Sequence, residues 1–248
     1  MTKNYNIAIL GDSWAWGEWN WVGDKNFPTH SGTQHYLHLE YPESKIVNFA
    51  VQGGSNLYQI DYISKHVGIE NFRKDFDYAV VFWTDPGRDV LNHILKNRDG
   101  NFSNMTKSQY QLLCDNSSER SLKQLNNLGV PVFLIGGHVS LPDKKYRKKF
   151  ENLTFLIDRV CNLIDKPFLD TKKEIELEGK LNNTVDWLQV DRTGLLTSKF
   201  LDEIKDDINE LLQPLNTIYF PDSGHAGRNL HKMITYAIIN EIESNQKE

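Results

Sequence analysis

The chain has 248 residues, 39% hydrophobic and 11% aromatic, enough for a packed core in one large α/β domain or two small ones. A formal net charge of −5 excludes the basic excess of a general nucleic-acid binder, and no apolar run approaches the length that spans a bilayer. The opening Met-Thr-Lys-Asn-Tyr-Asn lacks the pattern of a signal peptide, so a cytoplasmic protein is expected, in keeping with only two cysteines, Cys114 and Cys161.

Read in chain order, Asn6–Leu10 is a short apolar run of strand type that stops abruptly at Gly11-Asp12-Ser13. Trp14, Trp16, Trp19 and Trp21 crowd the next stretch, and Lys45–Phe49 reads as a second strand. Ser55–His66 has helical spacing through Leu57, Ile60 and Ile63, and Tyr78–Trp83 is the third strand. A helix is expected over Thr106–Leu128, a fourth strand over Pro131–Ile135, and a further helix over Phe150–Ile164, where Leu153, Leu156, Ile157 and Val160 fall at helical intervals. Lys144, Lys145, Arg147, Lys148 and Lys149 form the one basic run and read as a solvated helix face. A weaker fifth strand follows at Pro167–Leu169. Residues 170–197 are polar and poorly periodic, an irregular insertion, before helices over Ser198–Leu212 and Gly227–Ile242. This alternation predicts one α/β domain with a mostly parallel five-stranded sheet covered by helices on both faces.

Two stretches carry chemistry. A buried strand delivers its last residues to the sheet edge where α/β folds place ligands, so Ser13 is a candidate nucleophile, although Gly-Asp-Ser also reads as an ordinary turn. In Phe220-Pro-Asp-Ser-Gly-His-Ala-Gly, Asp222 precedes His225 by three residues, a spacing at which a carboxylate can orient an imidazole. The same residues also suit a helix N-cap. His138, after Gly136 and Gly137 at the end of the fourth strand, reads as a substrate contact or a structural histidine. His231 reads as a helix residue. His30, His35 and His38 read as surface histidines, since neither the histidine-glutamate zinc motif nor paired Cys-x-x-Cys is present. A Gly-x-Ser-x-Gly elbow, a Walker loop and a Rossmann glycine fingerprint are also missing.

Taken in order, Gly11-Asp12-Ser13, Asn48-Phe-Ala-Val-Gln-Gly53 and Asp222-Ser223-Gly224-His225 resemble the conserved blocks of the SGNH hydrolases, also called GDSL-type esterases. The resemblance implies a flavodoxin-like three-layer sandwich and a carboxylic ester hydrolase working through an acyl-serine intermediate, without metal or cofactor. It implies Ser13 as nucleophile, His225 as base, Asp222 as its orienting acid, and the backbone N–H groups of Ser13 and Gly53 as oxyanion donors. Trp14, Asn56, Arg88 and His138 are the candidate substrate contacts, and a small-molecule or glycan ester, including small acyl or acetyl esters, is the expected substrate class; neither nucleic acid nor membrane is an expected partner.

The third family block, Gly-x-Asn, is not matched. The chain reads Thr84-Asp-Pro-Gly-Arg88, and the hydroxyl of Thr84 or the guanidinium of Arg88 is left as the substitute donor. A binding protein that kept the fold and lost efficient catalysis is the first rival reading. A flavodoxin-like nucleotide or phosphate binder using the loop ends near Gly11 and Gly53 is the second.

Overall fold

The computed structural model describes residues 4–22, 25–97, 105–137, 139–163 and 226–246. By internal contacts the chain divides into two compact units, one of Tyr5–Ala15 and Lys45–Arg159, the other of Met1–Asn4, Trp16–Ser44 and Val160–Glu248.

The first unit holds the main sheet. Its strands are β1 (Ile7–Leu10), β4 (Ile46–Asn48), β5 (Tyr78–Trp83), β6 (Val132–Gly136) and β7 (Leu153–Ile157), while β2 (Glu18–Val22) and β3 (Lys25–His30) form a separate hairpin in the other unit. All neighbouring pairs in the main sheet are parallel, in the spatial order β4-β1-β5-β6-β7. Counted along the chain this is 2-1-3-4-5, the flavodoxin-like doubly wound order, and the sheet is flanked by helices. Its topological switch point lies between β1 and β5, because the chain leaves β1 toward β4 and later returns to the other side. The central strands show why: a parallel strand covered on both faces needs an unbroken apolar run, and all of β1 and Ala79–Trp83 are buried.

One face of this sheet presents Ala8, Leu10, Ala79, Val81, Val132 and Leu134. Against it pack α3 (Asn56–His66) through Ile60 and Ile63, α4 (Ile69–Asp75) through Phe72, and α6 (Lys107–Asn126) through Leu122 and Leu125. Thr106 starts α6 with a capping box, its hydroxyl accepting from the Gln109 N–H while the Gln109 side chain accepts from the Thr106 N–H. The shorter α1 (Ser13–Trp16) follows β1, and α5 (Gly87–Asn97) follows β5.

The fifth strand is a correction. Leu153–Ile157, expected within a helix over Phe150–Ile164, is strand β7, pairing Val132 with Leu153 and Leu134 with Phe155, with a register shift before Ile135 meets Ile157. Its apolar positions fit a helical interval, but Leu-Thr-Phe-Leu-Ile is also rich in strand formers, and the open edge of β6 decides in favour of pairing. The strand expected at Pro167–Leu169, the 170–197 insertion and the Ser198–Leu212 helix lie outside the described residues.

In the second unit, β2 (Glu18–Val22) and β3 (Lys25–His30) form an antiparallel hairpin, and α2 (Thr33–Glu40) packs on α7 (Arg228–Ser244). The Trp16 ring meets Trp19 edge-on at 5.8 Å. His231, fully buried on α7, is held as one neutral tautomer: the Thr33 N–H donates to Nδ1 at 3.2 Å, so the proton sits on Nε2 and donates to the Gly17 carbonyl at 3.0 Å. His30 is a second correction. It is buried rather than at the surface, its Nδ1 3.3 Å from Glu18 Oε1 and accepting from the Gly32 N–H at 3.1 Å, while Tyr36 donates to the same glutamate oxygen.

Candidate active site at the end of the first strand

The residues that end β1 meet those that end β5 at the switch point, where this class of sheet opens a crevice. Gly11 makes the first turn possible for a steric reason. A Cβ there would stand 2.9 Å from the Phe82 Cβ and closer still to that of Ala15, so only glycine lets α1 double back against β5.

Asp12 fixes the turn. Its side chain is 5% exposed, and both oxygens are used: Oδ1 accepts from the Trp14 N–H at 3.0 Å, and Oδ2 accepts from the Thr84 hydroxyl at 2.8 Å and from Arg88 Nη1 at 2.6 Å. One carboxylate thereby ties the β1–α1 turn to both the end of β5 and the first turn of α5. Ser13, at the start of α1, is 8% exposed.

Thr84 is gripped from a second side. The Asn56 amide donates to the Thr84 carbonyl at 2.8 Å and accepts from the Thr84 N–H at 3.0 Å, a reciprocal pair that copies a backbone ladder. Asn56 is 2% exposed, and its expected part as a substrate contact is thus set against a bracing position at the head of α3. The Thr84 hydroxyl, the donor expected to face an oxyanion, donates instead to Asp12, and the Thr84 amide donates to Asn56.

Asn48 braces the other flank, donating from Nδ2 to the Ala15 carbonyl at 2.8 Å and accepting from the Ala50 N–H at 2.9 Å. The loop beyond it is hung on the first turn by the Val51 N–H, which donates to the Gly11 carbonyl at 2.9 Å. Gly53 follows, exposed, with φ of +69° and no atom within 4 Å of where a Cβ would lie. Its glycine answers a left-handed backbone rather than a crowded one, and open space lies over its side-chain position.

Asp85 and Pro86 belong to the start of α5. Asp85 Oδ1 accepts from the Gly87 N–H at 2.8 Å, and its carbonyl accepts from the Arg88 N–H at 3.0 Å, which holds Arg88 in the first turn. Arg88 Nη1 also reaches the Gly54 carbonyl at 3.3 Å, and its side chain is 40% exposed. Asp89 points inward, accepting at Oδ1 from the Leu57 N–H at 3.2 Å and at Oδ2 from the Ser117 hydroxyl at 3.2 Å. Burial raises its carboxyl above the usual aspartate range, and bonds from Ser55, Leu57 and Ser117 and the charge of Arg120 oppose that rise.

Trp14 is 5% exposed, and its ring comes within ordinary contact of the side-chain position of Gly137. His138, Asp222 and His225 lie outside the described residues. The structure therefore brings together Asp12, Ser13, Asn48, Gly53, Asn56, Thr84 and Arg88 in one unit. Sequence reasoning missed Asp12 and Asp89 as organisers. The signal for both was present, a carboxylate beside a glycine turn and another in a helix's first turn, but neither spacing names its distant partner.

No model of a known protein family matches the chain, and no curated protein matches it. Among solved structures it is similar to a lipase from a goat rumen metagenome, at 10% identity and a TM-score of 0.43, covering 95% of this chain and 96% of that one. It is also similar to a lipase/acylhydrolase from Enterococcus faecalis, at 12% identity and a TM-score of 0.41 over 97% and 96%. An acetylxylan esterase from Geobacillus stearothermophilus is similar at 11% identity and a TM-score of 0.39 over 98% and 96%. Similarity this distant identifies no activity.

Proposed function

We propose that the chain is a serine hydrolase that cleaves a carboxylic ester through an acyl-serine intermediate. The observation that carries this reading is the Gly11-Asp12-Ser13 turn, held at the switch point by Asp12 and Asn48 with Ser13 at the head of α1.

In the proposed reaction Ser13 Oγ attacks the ester carbonyl carbon and passes its proton to His225, whose ring Asp222 orients. The carbonyl oxygen takes up negative charge, which the N–H groups of Ser13 and Gly53 stabilise. As the C–O bond to the alcohol breaks, His225 returns the proton to the departing alkoxide. Water, deprotonated by the same histidine, then attacks the acyl-serine and releases the acid and free Ser13. The roles of His225 and Asp222 rest on the Asp-x-x-His block of the sequence, and SGNH-type chemistry is the finer form of the proposal. Small acyl esters, acetyl esters of carbohydrates among them, are the proposed substrates.

A fluorophosphonate probe tests it. Labelling should fall on Ser13, disappear in Ser13→Ala and slow at least about 10²-fold in His225→Ala, the scale of general-base assistance. Folded protein that takes no label and hydrolyses no p-nitrophenyl acetate would overturn the proposal. That result would favour a binding protein on the same fold, the reading to which the engagement of both Thr84 donors lends weight.

A further inference from the structure

Building on the hydrolase reading, we infer that Arg88 takes over the duty of the missing third-block amide, as a positioning residue that bolts together the two turns bearing the oxyanion donors. Those donors sit on different loops: the Ser13 N–H follows β1, and the Gly53 N–H lies in the loop between β4 and α3. An oxyanion site works only if the spacing between such donors is set before the charge develops, and the backbone bond from the Val51 N–H to the Gly11 carbonyl ties the two loops ahead of Gly53 but not beyond it.

Arg88 Nη1 spans that gap. It donates to Asp12 Oδ2 at 2.6 Å, next to Ser13, and to the Gly54 carbonyl at 3.3 Å, next to Gly53. A single nitrogen of a planar, permanently charged group thus reaches both turns, a geometry that a flexible ammonium copies poorly. The arginine is itself positioned: Asp85 caps the turn of α5 that carries it, and Thr84, locked by Asn56, fixes the end of β5 just before. Thr84 is the competing substitute, and its hydroxyl serves Asp12 instead.

The assignment explains the sequence of the third block. An amide after the third strand would act as one more donor; an arginine four residues beyond Thr84 acts from the first turn of α5 by spacing the other two. Its charge is balanced by the Asp12 carboxylate, so it acts by holding that spacing, which matters most once the oxyanion forms. Arg88 therefore affects kcat rather than substrate binding.

Turnover of p-nitrophenyl acetate by the full chain decides the matter. Arg88→Ala should lower kcat about 10²-fold, the cost of weakening one oxyanion element, with KM within about threefold, and guanidinium at non-denaturing concentrations should restore part of the loss. Arg88→Lys keeps a cation for Asp12 but loses the planar group that holds one nitrogen against both turns, and should fall between wild type and Arg88→Ala at an unchanged unfolding midpoint. A wild-type kcat in Arg88→Ala, or a change confined to KM, overturns the inference while leaving the hydrolase reading intact. Should Arg88→Ala not fold, a reduced kcat in folded Arg88→Lys supports the inference and an unreduced one overturns it. If wild type neither turns over the ester nor labels at Ser13, the hydrolase reading falls and takes the role of Arg88 with it.

Discussion

Two glycines of the site obey different physics, and the difference is measurable. At Gly11 crowding adds to a backbone at φ of +157°, since a Cβ would press on Phe82 and Ala15. Gly11→Ala should cost about 1–3 kcal/mol in urea unfolding, the usual penalty of overpacking, and should displace Ser13 as α1 shifts. At Gly53 the obstacle is the backbone, with φ of +69° and open surroundings. Gly53→Ala should cost about 1 kcal/mol and leave the N–H in place. The sequence shows a glycine in both positions but not which reason applies, because that depends on whether a neighbouring strand stands in the way. Asn56 shows the same limit: as a residue it looks like a polar side chain at the mouth of a site, and only the fold reveals that it closes a buried pair with Thr84. Asn56→Ala should lose about 1–3 kcal/mol of stability by leaving the Thr84 N–H and carbonyl unpartnered.

Among the elements, those with one unmistakable period were legible. Tyr78–Trp83 is a strand at the boundaries its apolar run sets, and the capping pair Thr106 and Gln109 marks the start of α6. Leu153–Ile157 was not, because its leucines satisfy a helical interval while its pairing partner lies 21 residues upstream, as from Leu153 back to Val132, where no local pattern reaches. The β2–β3 hairpin escaped for a related reason: its strands carry tryptophans, asparagine and a proline rather than a clean alternation. The head of α3 offers a prediction at this scale. Asp89 and Ser55 accept from the Leu57 and Tyr58 N–H groups there, so the carboxylate caps a helix from outside it. Because burial raises its carboxyl in the folded state, the fold gains by holding the proton, and that contribution is present at low pH and lost as pH rises through the raised value. Asp89→Asn, which keeps an oxygen for the Leu57 N–H, should melt at or above the wild-type temperature at pH 7, and the difference should fade toward pH 3.8, the ordinary aspartate value. A variant that melts lower at pH 7 and recovers in acid would reverse the sign of this account.

For the molecule as a whole, the mostly parallel five-stranded sheet was legible in outline because apolar runs alternate with helical segments along the chain. The placement of β1 inside the sheet, between β4 and β5, fits its unbroken burial and contributes to a stability gradient across the sheet. Native-state hydrogen exchange should find the amides of β1, β5 and β6 slowest, with β4 and β7 at the edges opening earlier. Ile9→Ala in β1, fully buried, should cost about 2–5 kcal/mol, and Leu153→Ala in the edge strand clearly less. The candidate site was legible where function has a fixed local signature, as at Gly11-Asp12-Ser13. It was not legible where the first turn, the end of β5 and the start of α5 share one carboxylate.

The bond between Asp12 and Arg88 is lopsided, with side chains 5% and 40% exposed. Removing the arginine strands a charge that is shut away from water, whereas removing the aspartate leaves a cation that solvent can still reach. Mutational history across this site therefore has a preferred direction: a lineage can neutralise position 12 and afterwards lose the arginine, but a lineage that loses the arginine first passes through a weakened protein. Among descendants and cousins of this chain, an acidic residue at 12 without a base at 88 should be the rare combination.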